Sequence, residues 1–146
     1  MFSRKDVAQM LDIPPLRVKF YTEQGFCPGF DVKTGKGNER RYSENDVVFL
    51  AIAKTLAEAG ISLQLVKRFF NHIETKNEVS RIPGRLKFGV GKWNIVLIKK
   101  DGKQDADFYI TRVIPQKGNT FEFNDEIAIA MIFNLSSIYK SIDWPS

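Results

Sequence analysis

A chain of 146 residues with 22 Lys and Arg against 17 Asp and Glu, formal net charge +5, has room for one domain of common size or two small ones, and not for a large enzyme architecture. Its single cysteine, Cys27, excludes an internal disulfide framework and a multi-cysteine metal site, and His72 stands equally alone. No apolar run approaches the roughly 18 residues of a membrane span. The opening Met-Phe-Ser-Arg-Lys-Asp also lacks the apolar stretch of a secretory signal. The expected location is therefore the cytoplasm, with no membrane partner. The positive charge permits a polyanion as partner. Residues 1–78 hold 12 basic against 10 acidic residues and residues 79–146 hold 10 against 7, so neither half is a basic tail and local clustering must decide.

In chain order, Ser3 reads as an N-cap with Asp6 three residues on, and Val7, Ala8, Met10 and Leu11 share one helical face, predicting a helix over about 4–11. Asp12-Ile13-Pro14 breaks it, and Pro15 suits the first turn of a second helix that carries Leu16, Val18, Phe20 and Tyr21 and stops at Gly25. Residues 28–39, with Pro28 and glycines at 29, 35 and 37 among polar residues, read as a hairpin-like loop. Ser43-Glu-Asn-Asp46 resembles a capping box with Asp in the Glu position. It opens a helix with the stripe Val47, Val48, Leu50, Ile52, Leu56 and Ala57, which ends at Gly60. Ser62 caps a fourth helix through Leu63, Val66, Phe69, Phe70 and Ile73.

The polar stretch 74–84 ends in Pro83-Gly84, a turn signal, and marks an expected boundary between domains at 1–76 and 85–146. Beyond it the pattern changes to period two: Leu86, Phe88 and Val90, then 93–98, then 108–114, with turns at 100–103 and 116–119. Residues 127–142 admit two readings, a strand over 127–135 followed by a short helix capped by Ser136, or one continuous helix. The fold class expected is α+β: an N-terminal winged helix-turn-helix followed by a small antiparallel β-rich domain with a short C-terminal helix.

The second helix carries Arg17, Lys19 and Tyr21 at spacings of two, which spreads them over about 200° around Val18. In a major groove, such a helix could present Arg17 to guanine O6 and N7 while Lys19 and Tyr21 reach phosphates. The loop adds Lys33, Lys36, Arg40 and Arg41 within nine residues. Cations so clustered repel one another unless an anion neutralises them, so phosphate binding is the economical reading. The ring of Tyr42 is expected beneath this loop, its hydroxyl meeting a phosphate or a neighbouring backbone group.

These parts resemble, in order, the winged helix-turn-helix domain of the MerR family of transcriptional regulators. The resemblance rests on Val7-Ala8 through Ile13, Arg17-Val-Lys-Phe-Tyr21, Gly25-Phe26, Arg40-Arg-Tyr42-Ser-Glu-Asn-Asp-Val and Ala59-Gly-Ile-Ser-Leu63, and covers about the first 73 residues. It implies two helix-turn-helix units around a wing, with the second helix in the major groove. It makes Arg17, Lys19, Phe20, Tyr21, Lys33, Lys36, Arg40, Arg41 and Tyr42 the candidate DNA-binding residues. Lys19 stands where the family usually has Arg, losing bidentate geometry. Phe20 stands where it often has a DNA-contacting Tyr, and Asp12 replaces its usual Gly. Family regulators usually dimerise through a long antiparallel helix after this domain. Here the apolar helical positions after Phe70 are Ile73 and Val79, too few for a coiled coil.

Residues 85–146 are rich in aromatics, among them Trp93, Phe108, Tyr109, Phe133, Tyr139 and Trp144, and read as a core, a dimerisation surface or a sensor of an unidentified effector. Nothing there combines a nucleophile with a base. The expectation is a DNA-binding transcriptional regulator and not an enzyme, without cofactor or metal. It would bind double-stranded DNA as a homodimer joined through its C-terminal half. The alternatives are a phage-type or architectural DNA-binding protein, such as an excisionase or a small packaging subunit, and a module whose basic face binds an acidic protein.

Overall fold

A computed structural model describes residues 1–28, 40–89, 93–100, 106–112 and 127–146, with backbone only for 98–100, 106–112 and 127–130. In chain order it holds α1 (Arg4–Leu11), α2 (Pro15–Glu23), α3 (Glu44–Glu58), α4 (Leu63–Thr75), α5 (Arg81–Lys87), β1 (Trp93–Lys100), β2 (Ala106–Arg112), β3 (Ile127–Asn134) and α6 (Leu135–Lys140). The architecture is α+β.

The helix starts follow their caps. The Ser3 hydroxyl accepts from the Asp6 N–H at 3.2 Å while the Asp6 carboxylate accepts from the Ser3 N–H at 2.7 Å. Ser43 and Asp46 repeat the exchange at the head of α3, at 3.2 and 2.7 Å. Each such box satisfies two donors that the first helical turn leaves unpaired, worth about 1 kcal/mol per cap. Gly25 and Gly60, at φ +85° and +84°, take the left-handed turn that closes α2 and α3. At the end of α1 the same conformation falls to Asp12, at φ 51°.

One expected strand is a helix. Leu86 and Phe88 alternate in sequence, yet α5 spans Arg81–Lys87 and carries Pro83-Gly84 within it. Pro83 is tolerated because it lies in the first helical turn, where the N–H that proline lacks would have had no internal acceptor. Ile82 and Leu86, four residues apart, are both buried, while Phe88 lies 77% exposed at the helix end. Burial at helical spacing outweighed the period-two pattern.

The sheet has the order β2-β1-β3, both pairings antiparallel, with Ile95 opposite Ile110 and Phe133. For 127–142 the strand-then-helix reading holds, but the cap is Asn134, whose side-chain oxygen accepts from the Ser137 N–H at 3.0 Å, and not Ser136.

The buried side chains form one cluster that crosses from the helical half into the sheet-bearing half. Val7, Val18, Phe26, Phe49, Leu56 and Phe69 are joined in it by Ile82, Leu86, Ile95, Leu97, Leu135 and Ile138. The chain end also returns to α1: the Asp143 N–H donates to the Met10 carbonyl at 3.1 Å, and the Trp144 ring lies 6.5 Å from that of Phe2. Among the described residues, helix α4 ends at Thr75 and the next helix has 7 residues, so no long helix extends from the first four.

Candidate nucleic-acid interface

Helix α2 buries one side and bares the other. Val18, Tyr21 and Thr22 face the core, and Leu16, Arg17, Lys19, Phe20 and Glu23 are exposed. At about 100° per residue, Arg17 and Lys19 fall near the two edges of the exposed face. The Arg17 guanidinium lies 5.9 Å from the Tyr21 ring centroid. Lys19 pairs with Glu23 at 3.8 Å, both half-exposed, a contact that contributes at most about 1 kcal/mol.

The loop residues Lys33 and Lys36 lie outside the described residues. Their neighbours at the loop's C-terminal root are placed: Arg41 is exposed and Arg40 half-buried. Tyr42 fixes that root. Its backbone forms a two-way bridge with Phe2, both N–H···O distances 2.8 Å. Its ring is fully buried, and its hydroxyl lies 3.1 Å from the Thr22 hydroxyl. Thr22 already gives its proton to the Val18 carbonyl at 2.7 Å, so Tyr42 is the donor between the two hydroxyls. The root of the wing is thereby tied, through Tyr42 and Thr22, to the back of α2.

Tyr21, placed on the outward side of α2 by its spacing from Arg17 and Lys19, is only 4% exposed, and the Tyr42 ring, expected beneath the loop, is fully buried. Tyr21 packs on Phe26 at 5.8 Å between ring centroids, and Phe26 stacks on Phe70 at 4.7 Å. Large rings at these positions fill the space between α2, α4 and the wing root. Phe20, by contrast, is 39% exposed. Thr22 went unnoticed in the sequence, since a Thr late in a helix carries no signal until its partner is known.

The electrostatics suit an anion more than a metal. Arg41 lies close enough to Asp6 to help lower its carboxyl pKa, after the larger effects of the bonds from the Ser3 backbone and hydroxyl. Burial raises the Cys27 thiol far above its ordinary range, which leaves it a packing residue and not a nucleophile. Among the described residues no three His, Cys, Asp or Glu side chains gather as a metal site. Nor is any described helix long and apolar enough to cross a membrane.

Residues 2–73 match the family model of MerR HTH family regulatory proteins, from the strand-like bridge at Phe2 to the last buried residue of α4, Ile73. This N-terminal region is a MerR-family helix-turn-helix. No curated protein matches the chain. A MerR-type helix-turn-helix points to a DNA-binding regulator and not to an enzyme. The match spans α1 to α4, with residues 40–42 leading into α3.

Proposed function

We propose that the chain regulates transcription by binding duplex DNA, with the exposed face of α2 in the major groove and the 29–42 loop as a wing on the flanking backbone. The observation that carries this reading is the bond between Tyr42 and Thr22, because it joins the two basic elements, α2 and the wing root, into one rigid surface. A fixed spacing between a groove-reading helix and a backbone clamp is what register on a duplex requires.

In this reading Arg17, in the first turns of α2, reaches a base edge, and Lys19 neutralises a phosphate. Phe20 adds apolar contact, and Lys33, Lys36, Arg40 and Arg41 bind the backbone beside the groove. Tyr21 and Tyr42 support the surface from behind. Such a protein works in the compartment that holds the DNA, in keeping with the cytoplasmic location expected from the sequence.

Two reading heads are paired through the C-terminal half, since among the described residues no long helix follows α4 to pair them. Exposed Ile132 on β3, 51% accessible, marks an apolar position on the sheet available for this. The test of function is selection of bound genomic fragments by the full-length protein. A recurrent duplex sequence supports the proposal, and failure to enrich any duplex overturns it.

A further inference from the structure

The centre of the exposed face of α2 is apolar, and the cations stand at its sides. Taking Val18 as the middle of the buried side, Leu16 and Phe20 lie roughly 160° away, close to opposite it. Arg17 and Lys19 fall between about 60° and 100° to either side of this pair. Leu16 is 76% exposed and Phe20 39%. The chain thus holds a leucine almost fully in water, on a face that the sequence pattern alone would take as polar.

We infer that Leu16, with Phe20 one turn further on, reads the C5-methyl groups of thymines in the major groove, a specificity determinant that rests on the DNA-binding reading above. Four observations support this occupant over a protein surface. The ridge is flanked on both sides by a basic residue, which matches a groove walled on both sides by phosphates. It begins at the second residue of α2, and the N-terminal residues of a groove-bound helix are the ones that approach base edges. Its two side chains are separated by a rise of about 6 Å, so they meet methyls on bases one or two steps apart. The acidic residue of the face, Glu23, lies at the far end of the helix and is held by Lys19 at 3.8 Å, which keeps its charge away from the end that enters. In the major groove only thymine presents a methyl group among the four bases, so apolar contact there discriminates between sequences.

The probe that isolates this contact is uracil, which differs from thymine by that methyl alone. A duplex recovered by selection with the full-length protein is remade with deoxyuridine at each thymine in turn, and binding is measured for wild type and Leu16→Ala. Wild type should lose about fourfold in affinity for each contacted methyl removed, at one to three adjacent positions. Leu16→Ala should bind the thymine form about as the wild type binds the uracil form, and should no longer distinguish the two at the Leu16 position. Equal wild-type affinity for thymine and uracil forms at every position overturns the inference while leaving DNA binding intact. A Leu16→Ala chain that keeps full thymine discrimination but loses self-association in sedimentation also overturns it, and identifies the ridge as a protein contact. Failure to select any duplex removes the DNA reading itself, and this inference with it. Leu16 makes so little of the core that the variant should fold, and an unchanged melting temperature checks that.

Discussion

The two halves of the molecule solve the same packing problem by different means. In residues 1–75 short helices are fixed at their ends by local chemistry: two capping boxes, a serine cap at Ser62, and left-handed residues at Asp12, Gly25 and Gly60. In residues 81–146 a helix with no side-chain cap bond leads into a three-stranded sheet, whose middle strand, β1, is held on both sides by pairing. The helical half displays cations outward, and the sheet-bearing half sends Ile95, Leu97, Leu135 and Ile138 inward to the same core. Specialisation of surface is thus compatible with a shared interior: one half can be the reading head while the other contributes to its stability.

That comparison breaks most readily in the shared core. Leu56→Ala in α3 and Leu135→Ala in α6 each remove a fully buried side chain and should cost about 2–5 kcal/mol in denaturant unfolding. Both tryptophans lie in the second half, Trp93 in the sheet and Trp144 beside Phe2 of the first, so fluorescence reports the sheet and its seam with the helices while helical circular dichroism weights the first half. Coincident transitions are expected in wild type and in both variants. Loss of fluorescence well before loss of helix would divide the molecule into independent units.

The next effects fall on the surface. Arg17→Ala should cost about 1–3 kcal/mol at the preferred sequence and relax discrimination there. Arg40→Ala should weaken all duplexes alike and reduce the salt slope by about one. A loss for Arg40→Ala confined to one sequence would move that residue from backbone contact to base reading. Tyr42→Phe removes the bond to Thr22 and should lower stability by about 1 kcal/mol, while loosening the wing root enough to weaken binding. If binding is unchanged despite the lost stability, the wing is not aligned through Tyr42.

Much of this was legible in residues alone. Caps, prolines and glycines are local signals, so α1 to α4 could be placed from Ser3, Pro15, Ser43, Ser62, Gly25 and Gly60. Helix α5 was not, because Leu86 satisfies a period of two as well as a helical face shared with Ile82, and the tertiary core decides between them. The cations Arg17, Lys19, Arg40 and Arg41 are readable in the sequence as candidates for anion binding, because clustering of charge is a local signal. The roles of the aromatics depended on which side of α2 meets the core. A sequence that alternates apolar and charged residues over 16–21 does not specify that side, so Tyr21 reads as outward and Leu16 as one of the apolar positions.

The smallest effect expected concerns pH. Asp6 has its folded pKa lowered, chiefly by the Ser3 backbone bond, so its contribution to the cap is fully present above the unfolded carboxyl value and is lost as pH falls through the lowered folded value. Titration of the Asp6 carboxyl by NMR should find it below an ordinary aspartate. A normal value would mean that the cap at α1 is not formed in solution.

In the proposed function, one rigid basic surface built from α2 and the wing root binds duplex DNA. Its most direct test is the salt dependence of binding to a selected duplex by the wild type and the Arg17→Ala, Arg40→Ala double variant. The wild type should show a linear fall of log affinity with log salt, and the double variant a shallower slope and weaker binding at low salt. Salt-insensitive binding, or identical slopes for the two proteins, would contradict the account.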